Sequence, residues 1–328
     1  MIRLVIVKIG SDTGHDVTEL ISKVNWSGRK GAAPRCLKAT LLDDDGIKHA
    51  RVTIDCEEGY QCALYENDIE LFRGLIVSQS QSGKKAMTFT AYDNMYSLAN
   101  NKDSFSYKKK RADEIFRDCL TRTGLLPGDI VNTEYVIPEL PKAKTTYYDV
   151  LLDALSMTYK ATGIRYYIYS DKGRIHLLRR KEHALQWVVE VGTNITDYSY
   201  TKSIDKIRTR IRMLSKTDAV VYENANTELE KRIGVFAEVT SAKEKMKKKE
   251  MKEVVDTMLA EKSFPTKSLQ VSGLGITEAI AGGCVFTIIP HLNINRTFYI
   301  DEDSHEFSGN KHTMTIKLNF AADIHSAG

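Results

Sequence analysis

The sequence predicts a mainly β protein of the α+β class, with two strand-rich modules, a small α/β insertion between them and one long helix in the second module. Two observations predict this. A three-segment pattern occurs twice: Gly59–Tyr65, Ile69–Val77 and Met87–Tyr92 in the first copy, then Gly283–Ile289, Arg296–Ile300 and Met314–Phe320 in the second. In both closing segments the apolar residues fall at every second position (Met87, Phe89, Ala91; Met314, Ile316, Leu318, Phe320), the period of a half-buried strand. Between the copies the period changes to that of a helix three times. Hairpins bounded by glycine are common, so it is the shared order of the segments that suggests a duplication with an architectural purpose.

The elements follow in order. Met1–Ile9 reads as a first strand, because its apolar run is short and is broken at Lys8. Asp43–Gly46 reads as a turn and Arg51–Asp55 as a short strand. The first β-module is expected over 1–105. Arg111–Gly124 then places Ala112, Ile115, Phe116, Cys119 and Leu120 on one helical face, with Gly124 as its stop. A stretch containing Pro127, Pro138 and Pro141 reads as a surface loop. A second helix over 147–162 carries Val150, Leu151, Ala154, Leu155 and Thr158 and ends at Gly163. A hairpin follows, Ile164–Tyr169 and Arg174–Leu178 about a turn at Asp171–Gly173, closing an insertion over 106–190.

The second β-module is expected over 191–328. In it Ile207, Thr209, Ile211 and Met213 alternate with Arg208, Arg210 and Arg212. The long helix is expected over 241–262: Ser241 with Glu244 has capping-box spacing, and Met251, Val254, Val255, Met258 and Leu259 form one stripe. The lysine-rich first half has little to bury and reads as solvated.

At 328 residues the chain is long enough for two or three domains, each with a core. With 42% hydrophobic and 27% charged residues it reads as a folded soluble protein, and a net charge of +4 gives no polycation that would favour nucleic acid globally. No apolar stretch approaches the roughly 18–20 residues that span a bilayer. Cys36, Cys56, Cys62, Cys119 and Cys284 are scattered without a Cys-x-x-Cys pair, so buried free thiols are expected, with no metal site and no cofactor.

One cluster, Asp301, Glu302 and Asp303 with His305 and Glu306, has the residue types for metal binding or acid–base chemistry. Strand alternation would send neighbours to opposite faces, so a solvated hairpin rim is expected, with a structural hydrogen-bonding role for His305. No Gly-x-Ser-x-Gly elbow, His-Glu-x-x-His pair or phosphate-binding loop occurs, and no catalytic residue is assigned. The basic runs Lys108–Arg111, Arg179–Lys181 and Arg208/Arg210/Arg212 each have acidic neighbours and lack an aromatic-studded groove. They read as protein-facing or solvated surface.

A series of pieces then carries a resemblance: Leu71–Val77 followed by Phe89–Asp93, Ala112–Phe116, Tyr148–Leu155 with Thr162 and Gly163, Asn194 and Ile195, Gly282–Val285, and Tyr299 and Ile300 with His305, Met314 and Leu318. Their joint order resembles the late-control-protein-D and XkdQ-like baseplate hub proteins of contractile phage tails, PBSX-like prophages and phage-tail-like bacteriocins. The positions it marks as structural are Phe72, Gly74, Tyr92, Asp93, Gly163, Gly283, Tyr299, His305, Met314 and Leu318.

The resemblance implies two tail-tube-like β-barrel domains per chain and a homotrimer forming a pseudo-sixfold ring. That ring would join a hexameric tail tube to a trimeric central spike, with a tape measure protein and a baseplate wedge or LysM-type hub-associated protein as further partners. No membrane and no sequence-specific nucleic acid are implied. The expected location is the bacterial cytoplasm during assembly, then the baseplate of a particle released on lysis. Some relatives carry a wall-cleaving domain for which these modules leave no segment. The alternative is a peptidoglycan-active hydrolase using Asp301–Glu306.

Overall fold

The computed structural model describes residues 2–11, 13–42, 56–82, 86–180, 184–242 and 246–320. Two compact units divide the chain, Met1–Tyr198 with Gln270–Gly328, and Ser199–Leu269. The expected turn at Asp43–Gly46 and strand at Arg51–Asp55 lie outside the described residues.

The first module contains β1 (Ile2–Val7), β2 (Gly14–Asp16), β3 (Ile21–Arg29), β4 (Cys36–Leu42), β5 (Gln61–Glu66), β6 (Ile69–Ser82) and β7 (Ala86–Asp93). Alternation in β7 buries Met87, Phe89 and Ala91, which meet Leu4, Val24, Leu37 and Phe72 in one core. Each fully buried aliphatic or aromatic side chain there stabilises the fold by about 1.5–3 kcal/mol.

The stretch from 95 to 179, which overlaps the expected insertion and begins earlier, contains α1 (Met95–Asn100), β8 (Lys102–Arg111), α2 (Ala112–Thr123), β9 (Leu126–Ile130), β10 (Val136–Thr146), α3 (Tyr147–Thr162), β11 (Tyr166–Asp171) and β12 (Arg174–Arg179). Both helices keep their expected bounds, because Gly124 (φ 67°) and Gly163 (φ 71°) supply left-handed caps. Thr146 Oγ1 accepts the Asp149 N–H at 3.0 Å, fixing the start of α3. The proline-rich segment is a correction: it forms β9 and β10 instead of a loop. β10 pairs antiparallel with β8 in a two-stranded sheet, where one edge needs no N–H donors and proline is tolerated.

β13 (Ala184–Glu190), which the sequence assigns to the insertion, pairs with a strand of the second module, Val188 opposite Phe286, and β14 (Ile195–Ser203) follows. The chain then forms the second unit: β15 (Arg210–Leu214), β16 (Val220–Ala225), α4 (Thr227–Ile233), β17 (Ala237–Ser241) and α5 (Lys248–Lys262). Ile211 and Met213 of β15 pack against Val255 and Leu259 of α5, as the alternation and the stripe predict. The helix start is corrected from Ser241 to Lys248. Ser241 belongs to β17, where it lies opposite Leu214 in a parallel ladder, and the apolar stripe that docks the helix begins only at Met251.

The chain returns through β18 (Thr266–Leu274), β19 (Cys284–Ile289), β20 (Ile294–Ser308) and β21 (Lys311–Asn319). The duplication is explicit in the strand order. One module runs β3-β4-β7-β6-β5 and the other β14-β18-β21-β20-β19.

Finer features repeat too. Ile76 exchanges backbone hydrogen bonds with Gly59 and Tyr60, and Ile300 does the same with Gly282 and Gly283. Gly59 (φ 91°) thus corresponds to Gly282 (φ 100°), one residue before the Gly283 of the sequence pattern. A bulge follows each isoleucine, leaving Val77 and Asp301 outside the ladder. A cross-strand hydroxyl pair, Thr40 with Thr88 at 3.1 Å, has its counterpart in Ser272 with Thr315 at 3.0 Å. The described pairings make one continuous sheet, because β3 of the first module pairs antiparallel with β20 of the second, Val24 opposite Phe307 through Arg29 opposite Glu302.

Candidate functional site

The seam between β3 and β20 gathers a connected cluster of buried polar groups, Arg35, Asp303 and His305, with Asp93 beside them. Beyond its bulge β20 regains alternation: Asp303, His305 and Phe307 turn inward, while Glu302, Ser304 and Glu306 remain partly exposed. The expected separation of neighbours onto opposite faces therefore holds, although Asp303 and His305 lie in the interior and not on a solvated rim.

Arg35 is the hub of the seam. Its guanidinium donates from Nη1 to Asp303 Oδ1 at 2.9 Å and from Nη2 to Asp303 Oδ2 at 2.5 Å, and it lies 4.3 Å from the Trp26 ring. Its backbone N–H donates to Asp93 Oδ2 at 3.1 Å, while the Asp93 N–H donates to the Arg35 carbonyl. Asp93 also accepts the Met95 N–H, and burial raises its carboxyl to about 7 against the lowering effect of those two donors. One residue thus clasps β7 with its backbone and β20 with its side chain. Gly28 makes room for it, since a Cβ there would lie 2.2 Å from Arg35 Nη1. Asp303 Oδ1 additionally accepts the Ala281 N–H at 2.6 Å.

His305 is fully buried, 3.3 Å from the Ala279 carbonyl through Nε2 and 3.1 Å from His312 Nε2 through Nδ1. A carbonyl only accepts, so Nε2 carries the proton and Nδ1 accepts from His312. Burial pushes the imidazole down to about 4, with Arg35 and His312 adding to the fall and Asp303 opposing it. Trp26 and Phe307 close the packing: Trp26 lies 5.2 Å from the His305 ring, and Phe307 stacks on His312 at 4.1 Å. The imidazole is neutral at ordinary pH and structural.

The remaining carboxylates of the cluster are held by separate cations. Asp301 faces Lys30 and Arg180, each at 3.6 Å; Glu302 faces Arg29 at 3.2 Å and Lys317 at 3.4 Å; Glu306 faces Lys23 at 2.6 Å. Glu302 and Asp303 border a shallow hollow of about 390 Å³ beside Gly28 and Thr315, but both are engaged as described. A second cavity of about 250 Å³, walled by Tyr148, Tyr159, Tyr167 and Tyr169 with Arg35 and Arg180, has no carboxylate in its lining. Asp301 and Asp303 stand behind Lys30, Arg35 and Arg180, the cations that line the aromatic cavity, which is not how paired carboxylates flank a glycosidic bond.

The other residues singled out by sequence are placed as follows. Phe72, Met314 and Leu318 lie in the interior. Gly74 has no space for a side chain, since a Cβ would lie 2.3 Å from the Tyr92 carbonyl. Tyr92 stacks on Tyr96 at 5.2 Å, and the Arg180 guanidinium lies 3.9 Å from the Tyr299 ring. Gly283 accepts the Ile300 N–H. These positions fall in three groups: Asp93 and His305 at the seam, Gly163 at a helix cap, and the rest in or beside the strands of the continuous sheet. Arg35, the residue that joins the modules, stands outside any repeated pattern.

Within the second unit the arginine face of β15 is neutralised. Arg208 meets Glu238 at 3.2 Å, Arg210 meets Glu230 at 2.9 Å and Glu223 at 3.0 Å, and Arg212 meets Glu223 at 2.6 Å. Phosphates would have to displace these carboxylates. Lys108, Lys110 and Arg111 on β8 likewise face Glu139, Glu114 and Asp113.

No described helix is long and apolar enough to cross a membrane. Cys56, Cys62, Cys119 and Cys284 are buried free thiols and Cys36 is half-buried.

Comparison with known proteins matches this architecture. A family model described as YQBQ-like covers residues 24–319. The phage-like element PBSX protein XkdQ of Bacillus subtilis strain 168 is 32% identical over 97% of both chains. Among solved structures, the 43 kDa tail protein of prophage MuSo2 from Shewanella oneidensis gives a TM-score of 0.72 at 10% identity, with 97% of this chain and 98% of that one covered. The tail protein of Neisseria meningitidis MC58 gives 0.68 at 10% identity, covering 98% and 97%.

Proposed function

We propose that the chain, a member of the YQBQ-like family, has a structural, non-enzymatic role in a phage-type tail and is its baseplate hub, three copies closing into a pseudo-sixfold ring. The observation that carries this reading is the β3–β20 pairing, which joins two modules of the same strand order within one chain. Two such modules per chain and three chains give six similar units on a threefold axis, which reconciles a hexameric tube with a trimeric spike. In this reading each module completes a tail-tube-like barrel in the assembled ring.

The tail tube protein, the central spike, the tape measure protein and a wedge or LysM-type hub-associated protein are the proposed partners. Assembly takes place in the bacterial cytoplasm, and the particle leaves on lysis. The hydrolase alternative loses its support because each acid of Asp301–Glu306 is engaged by an arginine or a lysine.

Native mass measurement of the chain co-expressed with its tail-tube and spike partners tests the reading. A complex containing three copies of the 37.0 kDa chain is expected. A monomer that ignores both partners overturns it, and wall hydrolysis abolished by Asp301→Asn would turn attention back to the acidic cluster.

A further inference from the structure

We propose that β14 of one copy pairs antiparallel with the outer half of β6 of the next copy, around Ser78–Ser80, repeating between chains the β3–β20 junction found within each. This rests on the ring reading above and names the edges that close it.

The two modules correspond strand for strand, so β3 corresponds to β14 and β20 to β6. Within the chain, β3 pairs with the part of β20 beyond the bulge, Glu302–Phe307. Among the described residues no strand pairs with the corresponding stretches of β14 and β6. There β14 has one strand neighbour among the described residues, β18, besides an isolated bridge from Ile195 to Val191, and it ends the sheet. Among the described residues β6 is paired with β5 only as far as Leu75, and Ile76 makes the last backbone bonds on that side, to Gly59 and Tyr60. The isoleucine, its glycine partner and the following bulge align Ile76 with Ile300, so Ser78 corresponds to Glu302 and Ser80 to Ser304.

The chemistry of the two edges fits pairing with another copy. A protein that must keep an edge strand alone shortens it or guards it with lysine, proline or an inward charge. The other terminal strand, β2, is only three residues long. β6 instead continues as Ser78-Gln-Ser-Gln-Ser82, exposed, uncharged and free of proline. β14 is nine residues long, with Thr196, Asp197, Ser199, Thr201 and Lys202 exposed, so it carries a single lysine, near its end. Neither edge is apolar enough to aggregate, yet both offer a backbone ladder, the means by which β-augmentation gives affinity. The contact is head-to-tail, so it propagates until the rotation closes. Each chain already contains one such junction, and three chains with three more give six around the ring.

Engineered cysteines test the edges. Full-length chains carrying Ser80→Cys together with Asp197→Cys, Ser199→Cys or Thr201→Cys are mixed with the tail-tube protein and oxidised. The native thiols compete little, because four are buried and Cys36 is half-buried. Opposed strand residues lie within disulfide range. At least one pair is expected to yield covalent trimers that reduction removes, while Ser80→Cys with His15→Cys, on β2, yields none. A three-copy complex by native mass in which no β6–β14 pair cross-links overturns the edge assignment and leaves the ring standing. A chain that remains a monomer overturns both.

Discussion

β6 and β20 are each the long central strand of a three-stranded meander, and each is kinked by a bulge after a buried isoleucine, Ile76 in one and Ile300 in the other. Beyond the bulge they part. β20 sends Asp303, His305 and Phe307 inward beneath β3, whereas β6 presents Ser78, Gln79 and Ser80 to solvent. The shared backbone provides an edge in both places, and side chains decide whether it is sealed. At the sealed edge a bidentate buried ion pair specifies one register, since any slip would strand a charge. At the open edge the side chains need no partner, so the strand can wait in water for another copy.

Variants at matched positions sharpen that contrast. The largest effect is expected from Arg35→Ala, which leaves Asp303 buried without its cation and should cost about 3–5 kcal/mol in urea unfolding. A loss below about 1 kcal/mol, the range of exposed pairs, would mean that the seam is not sealed by this pair. Gly74→Ala comes next. Its Cβ would meet the Tyr92 carbonyl at 2.3 Å and the Phe72 ring at 2.6 Å, so a loss of about 1–3 kcal/mol is expected.

The pH response follows from two groups of opposite sign. Asp93 is raised by burial from 3.8 to about 7, so its contribution is fully present at low pH and is lost as pH rises through 7. His305 is lowered by burial from 6.5 to about 4, so its contribution is present above 6.5 and is lost as pH falls through 4. The two oppose each other between pH 4 and 6.5. Asp93→Asn should therefore leave a stability that climbs with pH across that window more steeply than the parent's, as read by thermal melts. A parallel pair of profiles would remove Asp93 from the account. The smallest effect is expected at Ser80→Lys, within about 0.5 kcal/mol of the parent in folding stability. The matched Ser304→Lys breaks the Asn25 bond to Ser304 and should cost about 1 kcal/mol or more. Equal losses at the two sites would erase the distinction between the edges.

What was legible in the sequence was local. Alternation in Met87–Ala91 and Met314–Leu318 reports one strand's two faces, and Gly124 and Gly163 report helix stops, because those requirements lie within a few residues. The seam was not legible. Arg35 and Asp303 are separated by 268 positions, and neither carries a spacing that announces the other. Proline misled over β10 because a two-stranded sheet has an edge that asks nothing of a missing N–H. The capping-box spacing at Ser241 misled because a ladder with β15 uses that residue as strand. The acidic cluster had the residue types of a site, and only the tertiary structure brought a cation to each carboxylate.

Electron microscopy of the isolated complex with the tail-tube protein, viewed down its axis, tests the central claim most directly. Three-fold averages with six similar lobes, two from each chain, are the predicted result. A ring of six chains carrying twelve such lobes, or a particle without threefold symmetry, would contradict it.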